Sequence, residues 1–178
     1  MALPIFLTFA LCMKALFPLR YLWLFCLPFL SGCYSFTGAS IEGKTLNMHT
    51  IENRALNVVP TLAPVLTEKI RSRILSQTGL APVNSDDADY VIKGAITAYN
   101  VTIAGVANTS TVSQNRLTIS INISFTNKKN EKADFEQTFS RFADFDANQQ
   151  LQAVETGLIE EIGNQLADDI FNKAFVNW

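Results

Sequence analysis

The stretch NRLTISINISFTN, Asn115–Asn127, is the clearest element of this chain and decides its fold class. Leu117, Ile119, Ile121, Ile123 and Phe125 alternate without a break against Thr118, Ser120, Asn122, Ser124 and Thr126. Side chains of a strand project to opposite faces in turn. The pattern is therefore a β-strand with one face on an apolar core and the other face polar, the signature of an antiparallel sheet covered on one side. Whether that polar face is solvated or lies against a partner's polar wall is open at this level.

Working outward, Asn127 to Lys132 is a charged turn, and a strand follows from about Asp134 to Phe145. Phe135 and Phe139 share a parity that Phe142 breaks, which predicts a bulge near Ser140. On the other side, AGVANTSTVSQ (Ala104 to Gln114) has small residues and no apolar period. It reads as a long hairpin loop of the kind that carries function, with Asn108, Thr109, Ser110 and Thr111 as candidate partner contacts. Before it, a strand runs from Tyr90 to about Ile103. Ile92 and Ile96 share one parity and Tyr99, Val101 and Ile103 the other, so a bulge at Gly94 or around Ala98 is expected.

Two helices flank these strands. Leu62, Leu66, Ile70 and Ile74 recur at helical spacing, with Thr61 as N-cap, Pro64 in the first turn and Gly79 as the C-terminal stop. Leu151, Val154, Leu158, Ile162, Leu166 and Ile170 form the stripe of a second helix, with Asp146 as expected N-cap and Gln149 completing a near capping box. Glu155, Glu160, Glu161 and Asp168 lie opposite. A first strand around Leu46, Met48 and Thr50 ends at Glu52-Asn53-Arg54, and the proline makes Leu80 to Val83 extended. The order is β-α-β-β-β-α. It predicts an α+β two-layer sandwich, with a four-stranded, mainly antiparallel sheet and two helices on one face.

Chemistry is conspicuously thin. Cys12, Cys26 and Cys33 are the three cysteines and His49 is the single histidine. A zinc knuckle, a thiol nucleophile and most neutral-pH general-base schemes thus have no residues to run on. Asp86, Asp87 and Asp89 lack the ligand alternation of a calcium loop and read as a turn. No catalytic residue, metal site or cofactor is expected. Discounting Lys14 and Arg20, 12 Lys+Arg stand against 16 Asp+Glu, a mildly acidic balance without a nucleic-acid footprint. Lys128, Lys129 and Lys132 cluster on one turn and are candidate contacts for phosphate or lipid A-type anions, against the plainer reading of a soluble turn.

The N-terminus supplies the strongest motif. A basic stretch with Lys14 and Arg20 precedes an apolar run from Tyr21 to Phe29, then Leu30-Ser31-Gly32-Cys33. This is an export signal ending in a lipobox, so residues 1–32 are expected to be removed and the Cys33 thiol acylated. The other reading is an uncleaved anchor, since Ala2 to Phe29 is long enough to span ~30 Å of hydrocarbon. The first 12 residues carry no charge, and Met13 begins a complete signal of its own, which makes Met13 the expected start. Residues 33–43 are then a lipidated tether and 44–178 a domain.

Taken together, GCYSFTGASI, IENRALNVVPTLAPVLTEKIRSRILSQTGL, NRLTISINISFTN and DFEQTFSRFADF leading to IFNKAFVNW resemble the LptE family of lipopolysaccharide-assembly lipoproteins, in its Bacteroidetes-type form. The resemblance runs from Cys33 to Trp178. It implies a non-enzymatic, outer-membrane protein that faces the periplasm. Such a protein plugs the lumen of the LptD-type β-barrel, helps it assemble and assists delivery of lipopolysaccharide. It also implies a small sheet with two helices on one side. In relatives, basic residues contribute to lipopolysaccharide contact, and the lysine turn is the candidate here. A helix ending at Gly79 followed by DADYVIKG also occurs in lipoproteins of secretion-channel and Tol-type complexes, the alternative reading.

Overall fold

The computed structural model describes residues 41–105 and 113–176. Its strands are β1 (Thr45–Met48), β2 (Glu52–Asn53), β3 (Ala81–Pro82), β4 (Tyr90–Gly105), β5 (Gln114–Asn127) and β6 (Phe135–Asp146). Helix α1 spans Leu62–Thr78 and α2 spans Leu151–Phe175. The strands form one sheet in the order β3-β1-β4-β5-β6, and β2 also pairs with β4.

The class is the expected α+β, with two differences in the sheet. It has six strands rather than four, because β2 and β3 are two-residue pieces that carry no periodicity of their own. Glu52-Asn53, read as the end of a strand, instead resumes pairing with β4 at Ala95 and Ile96. All pairings on the β1 side are parallel, whereas β4-β5-β6 is an antiparallel meander.

The meander is built as its alternation dictates. Leu117, Ile119, Ile121, Ile123 and Phe125 are buried in the core with Ile92 and Ile96 of β4. The register of β4 on β5 shifts between Ile96 and Ala98, so Thr97 is the extra residue of a bulge. That bulge returns Tyr99, Val101 and Ile103 to the face of Ile92 and Ile96. Gly94 is not bulged. A Cβ there would meet Ile123 Cδ1 at 2.8 Å, so it permits close packing instead.

Three sequence expectations are corrected. No bulge occurs near Ser140, because β6 pairs with β5 in unbroken register from Phe135 to Asp146. Phe142 simply points to the open face, 47% exposed. The loop expected over Ala104 to Gln114 gives up both ends to strands, β4 reaching Gly105 and β5 starting at Gln114. Asp146 does not cap α2. It ends β6 and accepts the Asn148 N–H at 2.8 Å, and the helix starts at Leu151 after Gln150.

The helices cover the apolar face. In α1, Leu62, Leu66, Ile70 and Ile74 are fully buried. Thr61 holds the cap position without a side-chain bond, and Gly79 ends the helix in the left-handed region at φ 67°, where glycine bears no Cβ penalty. In α2, Leu158, Ile162, Leu166 and Ile170 are buried, with Ile159, Phe171 and Phe175 beside them. Gly163 brings the helices close, since a Cβ there would lie 3.2 Å from Leu66 Cδ2. Arg73 of α1 pairs with Asp168 of α2 at 2.7 Å.

Candidate partner interface

The side of the sheet away from the helices is a mainly polar surface. Its central row is Thr118, Ser120, Asn122, Ser124 and Thr126, each placed there by the alternation of β5. Ser120 and Ser140 join hydroxyls at 3.0 Å, and the Thr97 hydroxyl donates to the Ser120 carbonyl at 3.3 Å. Lys93 and Glu136 flank Ser124 on this surface without an ion pair among the described residues, and the other charge there is a closed pair. Arg116 donates to both oxygens of Asp144 at 2.7 and 2.8 Å, and its guanidinium lies 3.7 Å from the centre of the Phe142 ring. The pair holds Asp144 below the usual carboxylate range and raises Arg116. This Arg116–Asp144–Phe142 unit was not visible in sequence, because its members are strand neighbours far apart along the chain.

One end of the β4–β5 hairpin is apolar and exposed. Ile103 is 73% exposed, Val101 is exposed too, and Leu56 and Val58 are exposed on the loop before α1. Asn57 donates to the Tyr99 carbonyl at 3.3 Å, which fixes that loop beside β4 just short of Val101. The Tyr99 hydroxyl donates to Glu155 of α2, so Glu155 is tied to the sheet rather than free on a solvated face. Burial, reinforced by that carboxylate, pushes the Tyr99 phenol well above its ordinary range.

The opposite end holds the first described residues. Gly43 is buried and its N–H donates to the Tyr90 hydroxyl at 3.0 Å. A Cβ at Gly43 would lie 2.3 Å from the Tyr90 ring, so only glycine fits. Asp89 accepts the Lys44 and Thr45 N–H groups at 2.8 and 3.1 Å. Those bonds, with Lys129 alongside, hold its carboxyl far below the usual range. Around this end the Phe125 ring lies 5.3–5.9 Å from those of Tyr90, Phe135 and Phe175, and Tyr90 meets Phe175 at 5.3 Å.

The lysine turn sits at the same end. Lys128 pairs with Asp87 at 3.3 Å and Lys129 with Asp89 at 3.1 Å. Lys132 has no ion pair among the described residues. His49 meets Asp86 at 2.9 Å, and Asn47 donates to the same carboxylate oxygen at 3.1 Å. The His49 bond first, then Lys93, lowers the Asp86 carboxyl. The three aspartates of the turn thus serve as struts between β1, β4 and the β5–β6 turn. The lipobox residues Leu30, Ser31 and Gly32, the lipidation residue Cys33, and the loop residues Asn108, Thr109, Ser110 and Thr111 lie outside the described residues.

Comparison with known proteins gives the following. The model of the LptE family, described as lipopolysaccharide-assembly, matches residues 43–174. No curated protein matches the sequence. Among solved structures the fold is similar to protein CT253 of Chlamydia trachomatis, with TM-score 0.50, 9% identity, 74% of this chain and 98% of that one. It is also similar to a neuraminyllactose-binding hemagglutinin homologue of Helicobacter pylori, with TM-score 0.50, 11% identity, 74% of this chain and 86% of that one. A looser likeness is to rare lipoprotein B of Shewanella oneidensis, with TM-score 0.45, 17% identity, 71% of this chain and 91% of that one.

Proposed function

The chain belongs to the LptE family of lipopolysaccharide-assembly proteins, and on that premise we propose that it is a non-enzymatic plug of an LptD-type outer-membrane β-barrel. It would be anchored through acylated Cys33, face the periplasm and barrel lumen, and assist lipopolysaccharide delivery. The observation that carries this reading is the open sheet face. A row of Thr, Ser and Asn, flanked by Lys93 and Glu136 and closed at one end by the Arg116–Asp144 pair, is a poor surface for a greasy layer. It can lie against a hydrated polar wall through direct and water-mediated hydrogen bonds, which is what a barrel lumen offers. The apolar hairpin end adds a second contact, with the segment around Asn108 to Thr111 adjoining it in sequence.

Photocrosslinkers at Ser120 and Ile103 test the reading, with Glu160 on the exposed side of α2 as control. Capture of one large β-barrel from native membranes by the first two positions is the expected result. Depletion of the protein should also lower the folded form of that barrel. Exclusive capture of a secretion-channel or Tol-type component would replace the plug by the alternative. The anchor has its own test: a fatty-acid label should mark the wild type and not Cys33→Ala, and equal labelling would overturn the lipid anchor. Lipopolysaccharide contact at Lys128, Lys129 and Lys132 belongs to the same proposal. Neutralising all three should weaken binding in a salt-sensitive way, with Lys132 the cation not already paired.

A further inference from the structure

On the loop between β2 and α1, Leu56 is fully exposed and Val58 is 64% exposed. A single exposed leucine on a loop is ordinary. This loop, however, is not free to fold its leucine away. The Asn53 side chain accepts the Ala55 N–H at 3.1 Å and donates its amide to the Val59 carbonyl at 3.4 Å, which closes the loop on itself. The Arg54 N–H donates to the Ile96 carbonyl at 3.0 Å, and the Asn57 amide to the Tyr99 carbonyl at 3.3 Å, so the loop is bonded to β4 on both sides of Leu56. Ala55 is buried in the core and Val59 packs against it. With their neighbours pinned, Leu56 and Val58 are held outward. Two asparagine side chains thus fix a pre-shaped apolar knob, and a knob already ordered loses little freedom on docking.

We infer that Leu56 is an anchor that enters an apolar pocket of the β-barrel partner, with Asn53 and Asn57 as its positioning residues. The inference rests on the plug reading above and gives the second contact of that reading a shape. Composition selects a protein pocket over a lipid surface. Loops and helices that lie in a bilayer surface carry aromatic side chains or free cations beside their apolar ones. Here the neighbours are Asn53, Asn57, Pro60 and Thr61, and the Arg54 guanidinium is closed on Glu52 at 2.7 Å. A second copy is a poor host. The cavities lined by Asn127 and Asn130, by Lys69 and Asp168, and by His49 and Asp86 all open mainly onto polar atoms. Position selects the barrel. Tyr99, whose carbonyl takes the Asn57 amide, faces Ile119, the neighbour of Ser120 in the polar row. The loop therefore lies about two strand spacings, roughly 10 Å, from Ser120, and a wall that covers the row there reaches the knob.

The test uses the full-length chain in its native membranes, with photocrosslinkers at Leu56 and Ser120. Both positions should capture the same barrel, and the Leu56 crosslink should map to an apolar stretch of it. Purification in mild detergent then measures how much barrel stays with the protein. Leu56→Ser should lower that recovery about tenfold, the size expected for losing one buried leucine, while Leu56→Met keeps it within about twofold. Asn57→Asp keeps the shape of the side chain but removes the donor to the Tyr99 carbonyl. It should lower recovery about threefold by freeing the loop, with the thermal melt unchanged. If Ser120 captures a barrel while Leu56 captures only lipid, a second copy or nothing, the anchor is wrong and the plug stands. Recovery that ignores Leu56→Ser would overturn the anchor equally. No barrel at either position would remove the plug reading, and the anchor with it.

Discussion

At the Tyr90 end of the β4–β5 hairpin, rings from β4, β5, β6 and α2 close on one another and Asp89 binds two backbone N–H groups. At the Ile103 end of the same hairpin, apolar side chains stand in solvent. At ~3.3 Å per residue, the stretch of β4 from Tyr90 to Ile103 puts these ends roughly 40 Å apart. The amino acids are similar in kind at both ends, so composition does not explain the contrast. What differs is coverage. Helix α2 finishes over Tyr90, and at the other end Leu117 of β5 and Phe145 of β6 are still buried while Val101 and Ile103 of β4 are left exposed. The Tyr90 end is thus packed into the core, and the far end is left available for contact.

The contrast can be broken from the covered end first. Phe125 is 1% exposed and touches Tyr90, Phe135 and Phe175, so Phe125→Ala should cost about 3–5 kcal/mol by cavity formation. Chemical denaturation measures it, and a loss under 1 kcal/mol would remove the distinction between the ends. Gly43→Ala forces a methyl into the Tyr90 ring and should cost about 1–3 kcal/mol by overpacking, read in the same way.

Asp89→Asn should give a smaller change, visible chiefly in acid. Its carboxyl is depressed in the folded state, so its contribution is present above the ordinary aspartate pKa of about 3.9 and fades as pH falls below that value. The variant should melt lower at neutral pH and lose less than the wild type on acidification; parallel pH profiles would show that the staple is idle. At the far end, Leu56→Ser with Ile103→Ser should move stability by no more than about 0.5 kcal/mol, because both side chains are already wet. The same pair should still weaken barrel capture, and a large drop in melting temperature would mean that this end is part of the core.

How much of this could be read beforehand follows the range of the interactions. The β5 alternation, the Leu62-to-Ile74 stripe and Gly79 are local patterns, and the structure keeps them as read. The parity break at Phe142 looked like a bulge because sequence cannot distinguish a register shift from an aromatic that is content on the wet face over Arg116. Asp146 has the look of a cap, yet it sits in strand register opposite Gln114. The lysine turn appeared as free positive charge, while its counter-charges, Asp87 and Asp89, come from a turn some forty residues earlier. The exposed end had one sequence trace, the switch in parity after Ile96. It located the bulge without saying that coverage stops shortly beyond it.

That bulge has a mechanical consequence. Thr97 is surplus to the ladder: Ile96 faces Ile121 and Ala98 faces Ser120, so a chain lacking Thr97 could keep every cross-strand partner it now has. What it would lose is the local increase in twist that an extra residue imposes on its strand. Thr97 therefore works like a shim in a hinge plate. It leaves the join intact and sets the angle at which the outer half of the hairpin leaves the body, so a one-residue deletion would re-aim the tip without unpairing it.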